Sequence, residues 1–180
     1  ISQLEALGGE ARGRPLGLRV NPGFSTSHFD LADPARRHSR LGVRDGRALR
    51  AAAGSITGVV FHFNCENADF DDFRRSLARL ARAYGDVLRR LEWVSLGGGL
   101  AFTAPGYPLR EFCRALREFG RGHGVQVYLE PGEAAVTGCA ELVTTVLDVV
   151  RNEGDIAIVD ASTEAHMLDH LIYRTEARVA

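Results

Sequence analysis

Four short clusters hold the side chains that can do chemistry: Arg19-Val-Asn-Pro, His62-Phe-Asn-Cys-Glu, Gly97-Gly98-Gly99 and Glu130-Pro-Gly. Three consecutive glycines let a backbone come close to an anion and offer it N–H donors, although such a triplet also serves as a plain tight turn. His62 lies in an otherwise apolar run, where an imidazole is either a packed, hydrogen-bonded core residue or a catalytic one. A buried carboxylate without a partner is costly, so Glu130 calls for a cationic or protonated neighbour. Arg19 or Arg40 could be that neighbour, and so could a ligand.

These clusters end β-branched and aromatic runs at residues 16–20, 58–63, 93–96 and 125–129. The runs alternate with segments of helical period, the mark of repeated β-α units and a parallel sheet, in which functional loops gather at the strand C-termini. Phe70, Phe73, Leu77, Leu80, Tyr84, Val87, Leu88 and Leu91 recur at threes and fours and predict an amphipathic helix. Leu109, Phe112, Cys113, Leu116 and Phe119 repeat the pattern after Pro108, closing in the glycine-rich stretch 120–124. Beyond Gly132 the texture changes, with β-rich runs 140–150 and 155–159 joined by Asn152-Glu153-Gly154, a hairpin signal.

Four parallel strands cannot close a barrel, and the inward faces Leu-Arg-Val, Val-Phe-His, Val-Ser-Leu and Tyr-Leu-Glu mix apolar with polar residues. The expected class is therefore α/β: the second half of a (β/α)8 barrel over residues 1–132, then the first part of a β domain over 133–180. The opening Ile1-Ser-Gln-Leu-Glu-Ala-Leu-Gly-Gly reads as the tail of a helix closing on Gly8 and Gly9, so the chain is expected to be a fragment.

With 45% hydrophobic and 25% charged residues among 180, the chain is neither disordered nor membrane-like in composition. A net charge of -1 gives no excess of positive charge for binding a nucleic acid. No apolar run reaches the roughly 18 residues of a membrane span, and no secretory leader pattern opens the chain. Cys65, Cys113 and Cys139 are odd in number and widely spaced, which fits reduced thiols, a cytoplasmic location and no metal site. All 22 basic residues are Arg.

Taken together, GVVFHFNCE, WVSLGGG, VYLEPGEA and DIAIVDASTEAHMLD resemble the carboxynorspermidine (carboxyspermidine) decarboxylases of polyamine (spermidine) biosynthesis. The resemblance covers nearly the whole chain. It implies the alanine-racemase-like fold, a TIM-type barrel that binds pyridoxal 5'-phosphate and is completed by a β domain, a lyase active as a homodimer, and a polyamine-acid substrate. By the same resemblance His62 stacks on the pyridine ring, Gly97, Gly98 and Gly99 bind the phosphate, Glu130 bonds the pyridine nitrogen, and Arg19 orients Glu130 or its polar neighbours. Ser39-Arg40-Leu41-Gly42 matches a supporting loop, and Asp169 and Arg174 would meet the amino and carboxylate ends of the substrate, or else serve as surface ion-pair residues. Glu133 stands where ornithine-type enzymes have Arg, which favours the polyamine branch. Ala165-His-Met-Leu-Asp169 departs from the Ala-His-Met-Pro-Asp of that branch, which loosens the choice of substrate. The alternatives are a diaminopimelate, ornithine or arginine decarboxylase, or a non-catalytic cofactor-binding or regulatory homologue.

The Schiff-base lysine and catalytic cysteine of that family are expected outside these residues, and the chain has no lysine at all. By itself it is therefore expected to have no decarboxylase activity. Borohydride reduction in the presence of pyridoxal phosphate should leave no stoichiometric adduct on an internal residue, read by mass. An adduct at the Ile1 α-amino group would be adventitious, whereas an internal one would refute the expectation.

Overall fold

A computed structural model describes residues 1–11, 13–27 and 33–177, which form two compact units, Ile1–Thr137 and Gly138–Ala180. The first unit runs α1 (Ser2–Leu7), β1 (Gly17–Val20), α2 (Gly46–Ala52), β2 (Gly58–Phe61), α3 (Phe70–Leu88), β3 (Trp93–Ser95), α4 (Leu109–His123), β4 (Gln126–Tyr128) and α5 (Glu133–Val136). Its strands pair in parallel in the order β1-β2-β3-β4, with Gly17 beside Gly58, Gly58 beside Trp93, and Trp93 beside Gln126. This open run of β-α units is the parallel α/β sheet that the sequence predicts.

Alternation along each strand gives the sheet two different faces. Val20, Val59, Phe61, Phe63, Val94 and Leu96 are buried in one core with Leu49, Phe73, Leu77, Leu80, Val87, Leu88 and Phe112 of the helices. Phe61 meets Tyr84 of α3 with ring centroids 5.1 Å apart, and Phe63 stacks on Phe73 at 6.4 Å. Each such buried side chain contributes about 1.5–3 kcal/mol. The intervening residues Arg19, Val60, Ser95 and Tyr128 line the other face. The mixed polarity of the strand sequences is thus sorted by alternation rather than shared by one inward surface.

Helix α3 starts where the Asp69 side chain accepts the Asp72 N–H at 3.0 Å. It ends at Leu88, one turn short of the predicted Leu91, while α4 extends through His123 before Gly124 turns left-handed at φ 70°. Three further features of the first unit differ from the sequence expectation. Helix α1 does not close on Gly8 and Gly9 but tightens into a 3-10 turn over Gly8–Ala11. Helix α2, capped by Asp45, was not anticipated, because Leu49 is its one buried side chain and leaves almost no apolar period to read. Glu133–Val136 forms a helical turn on the first unit's side of the divide between Thr137 and Gly138.

In the second unit β5 (Val146–Arg151) and β6 (Asp155–Val159) form the antiparallel hairpin read from Asn152-Glu153-Gly154, with Glu153 at φ 56° in the turn. The strand begins at Val146 rather than near residue 140. Helices α6 (Thr163–His166) and α7 (Leu168–Tyr173) follow. No helix among the described residues is long and apolar enough to cross a membrane.

At the N-terminal end of the parallel sheet the Trp93 indole lies where the Cβ atoms of Gly17 and Gly58 would otherwise be, and its Nε1–H donates to Thr57 Oγ1 at 3.0 Å. Gly58→Ala must displace that ring. It is expected to destabilise the first unit by about 1–3 kcal/mol, the usual cost of overpacking. The denaturant midpoint followed by Trp93 fluorescence measures it, and an unchanged midpoint would show that the ring can move freely.

Candidate active site

Beyond the C-terminal ends of β2, β3 and β4 the chain places His62, the Gly97–Gly99 turn and Glu130 against one another. The ladder continues past the named strands: Leu96 N donates to Tyr128 O at 3.0 Å and Glu130 N to Gly97 O at 2.9 Å, so main-chain bonds set the position of Glu130. The turn needs glycine. Gly97 and Gly99 lie at φ 73° and 74°, and a Cβ would sit 2.5 Å from His62 Nδ1 at Gly97 and 2.6 Å from Asn64 O at Gly99. At Gly98 it would strike the Glu130 carbonyl.

The three glycines, equivalent in the sequence, differ in structure. Gly97 N–H is committed to Ser95 Oγ at 3.2 Å, Gly98 N–H makes a long contact of 3.4 Å to His62 Nδ1, and Gly99 is exposed. Gly99 O accepts Asn67 N–H at 2.8 Å, which ties the turn to the loop after β2. In that loop Asn64 Oδ1 accepts from Thr26 Oγ1 and from Asn67 Nδ2, each at 3.1 Å.

Of the partners the sequence allows Glu130, an arginine or a ligand, neither Arg19 nor Arg40 forms an ion pair with it among the described residues. Glu130 is exposed at the end of the outermost strand, and its partner is a hydroxyl: Ser95 Oγ donates to Glu130 Oε1 at 2.5 Å. Arg40 is an exposed residue of the loop before Gly42. In that loop the backbone does the supporting, since Val43 N donates to Arg19 O and Asn21 N to Val43 O. Arg19 is half-buried on β1 and acts on the site through its charge.

His62 senses that charge. Burial, and then the Arg19 guanidinium, push its imidazole below the ordinary histidine range, while the Glu130 carboxylate opposes them. The ring is therefore neutral at neutral pH, in keeping with an Nδ1 that accepts from Gly98. Cys65, three residues on, is half-buried, and burial raises its thiol pKa, so it stays protonated. Asp169 and Arg174 lie in the second unit, on and just after α7; both are exposed, and among the described residues neither forms an ion pair.

Sequence reasoning missed Ser95. Its signal was available in the alternation that puts it on the face of Arg19 and Tyr128, two residues before the glycines.

The α/β fold with its parallel β1-β2-β3-β4 sheet is that of the alanine-racemase-like decarboxylases. The crystal structure of carboxynorspermidine decarboxylase from Campylobacter jejuni, complexed with norspermidine, superposes with a TM-score of 0.82 at 35% identity, covering 96% of this chain and 44% of that one. Within the class the chain is homologous to the carboxynorspermidine/carboxyspermidine decarboxylases over nearly its whole length. The Herminiimonas arsenicoxydans protein of that name is 50% identical over 179 residues, 99% of this chain and 49% of the relative. The carboxyaminopropylagmatine decarboxylase of Synechocystis is 34% identical over 168 residues, 91% of this chain and 43% of the relative. The chain thus spans about half the length of the curated relatives it matches. No protein-family model matches it.

The charge arrangement around His62 can be tested without catalysis. Arg19→Gln removes a cationic neighbour and should raise the His62 pKa, whereas Glu130→Gln removes the opposing anion and should lower it further. An NMR titration of the imidazole Cε1–H reads both. Shifts of the same sign, or none, would contradict the arrangement.

Proposed function

We propose that this chain contributes the cofactor-holding residues of a pyridoxal 5'-phosphate-dependent decarboxylase that converts carboxynorspermidine or carboxyspermidine to norspermidine or spermidine. The reading is carried by the meeting of His62, the glycine turn and Glu130 at one sheet end in a chain 50% identical to a protein of that name.

The residues present fit the group. A turn with no room for side chains presents bare main chain, over which a phosphate can approach amide N–H donors. Because Gly97 N–H is bonded to Ser95 while Gly98 N–H reaches His62 Nδ1 only at 3.4 Å, the phosphate falls to Gly98 and Gly99. His62, uncharged, offers a flat ring face to the pyridine. Glu130 is exposed, and among the described residues its Oε2 takes no hydrogen bond, which leaves an anionic acceptor for a protonated ring nitrogen. Arg19 adds positive charge below the turn and keeps His62 from competing for that proton.

Pyridoxal phosphate, when bound, supplies an electron-poor ring that accepts the electron pair left as a carboxylate departs as carbon dioxide. Glu130 holds the proton on the ring nitrogen that makes the ring a better acceptor. The amine that anchors the cofactor is not among these 180 residues, which include no lysine. Asp169 and Arg174 have the charges to meet the ammonium and carboxylate ends of a polyamine acid. A cytoplasmic homodimer is the inferred working form, on the strength of the class resemblance. A second reading, with carboxyaminopropylagmatine as the substrate, draws on the 34% identity to the Synechocystis enzyme.

Glu130→Gln in the full-length protein keeps shape and removes charge. Turnover of carboxynorspermidine, followed by chromatography of norspermidine, is expected to fall roughly tenfold to hundredfold, the equivalent of about 1.5–3 kcal/mol for a charge-assisted bond. Bound cofactor should fall far less. Unchanged turnover would return Glu130 to a structural role, and faster carbon dioxide release from carboxyaminopropylagmatine, diaminopimelate, ornithine or arginine would reassign the substrate.

A further inference from the structure

Ser95 is 3% exposed, on the last residue of β3, and its hydroxyl is used twice. It donates to Glu130 Oε1 at 2.5 Å and accepts Gly97 N–H at 3.2 Å. Glu130 N–H in turn donates to Gly97 O at 2.9 Å, so the three residues close a ring of hydrogen bonds across β3 and β4. A serine hydroxyl has one proton and can give it to one acceptor. With that proton on Oε1, the carboxylate cannot swing about its terminal torsion, a broad and soft rotation in a free glutamate. Oε2 is then left outside the ring of bonds.

Resting on the cofactor reading above, we propose that Ser95 is a positioning residue: it locks the Glu130 carboxylate to the first glycine of the anion-holding turn, so that the group bonding the ring nitrogen and the group bonding the phosphate keep one fixed separation. A glutamate without such a bond samples several rotamers, and ordering it at each binding event weakens affinity.

The test uses the full-length holoenzyme with Ser95→Ala, Ser95→Cys and Ser95→Thr. Ala removes the donor, Cys keeps the volume with a weak donor, and Thr keeps the hydroxyl. Ala and Cys are expected to lower kcat about tenfold with KM for carboxynorspermidine little changed, and to raise the Kd for pyridoxal phosphate, measured by fluorescence quenching of the apoprotein, by a smaller factor, no larger than that of Glu130→Gln. Thr should restore both to within about threefold of wild type, which a loss of packing alone would not predict. Because Ser95 acts through Glu130, Ser95→Ala/Glu130→Gln should be no worse than Glu130→Gln alone.

The proposal is overturned by a Cys variant equal to Thr in kcat and cofactor Kd, or by losses that multiply in the double variant. Should Ser95→Ala fail to fold, the Cys and Thr pair decides in the same way. If Glu130→Gln itself leaves turnover and the ring's absorption spectrum unchanged, the cofactor reading fails first. If Glu130→Gln is impaired while Ser95→Cys matches wild type, Ser95 alone loses its role.

Discussion

In-register parallel pairing of four short strands is the constraint on which the first unit depends. Once Gly17, Gly58, Trp93 and Gln126 share one register level, strict alternation commits every later residue of every strand to a face. Val59, Phe61, Val94 and Leu96 must then go to the helices, where they are buried. The same step sends Arg19, Ser95 and Tyr128 to the opposite face. A slip of one residue in β3 would turn Ser95 into the apolar core and Leu96 away from it, a cost of several buried side chains. The hydrophobic term that packs the helices therefore also sets the direction in which the polar groups point.

The second consequence concerns levels along the strands. Trp93 fills the first level because Gly17 and Gly58 carry no side chain to oppose it. Arg19 and Ser95 come next, and His62, Gly97 and Glu130 follow beyond the named strand ends. A large rigid ring below and a main-chain turn above leave the polar layer between two fixed surfaces. Surface pairs elsewhere have a lesser part: Arg50 Nε meets Asp86 at 2.7 Å and links α2 to α3, but both side chains are about half exposed and solvent screens them.

Most of this frame was legible in the sequence, because it is made by local periodicity. The β-branched runs, the helical spacing of Phe73, Leu77 and Leu80, and the glycines after β3 all act within a few residues of themselves. What was not legible depends on which strand lies beside which. The acidic partner expected for Arg19 or Arg40 turned out to bond Ser95, a residue 35 positions away in sequence that only the β3-β4 register brings near. Helix α2 escaped for a different reason: with Leu49 alone buried, it is held by its Asp45 cap and its neighbours rather than by an apolar stripe. The inequality of the three glycines was equally hidden, since it arises from the acceptors that β2 and β4 bring to them.

That Glu130 is held by a hydroxyl rather than a guanidinium has its own logic. A guanidinium would grip both carboxylate oxygens in a bidentate fork and neutralise them, leaving little to offer a third group. A hydroxyl brings no net charge and one proton, so it fixes orientation through Oε1 while the anionic character stays available at Oε2. The positive charge that the site does contain, on Arg19, is felt instead at His62, where it works with burial to keep the imidazole neutral. Charge and orientation are thus supplied by different residues. Arg19 acts through space and does not neutralise the acid; Ser95 acts through one bond and does not change the net charge. That division lets an acid and an imidazole stand side by side without pairing with each other.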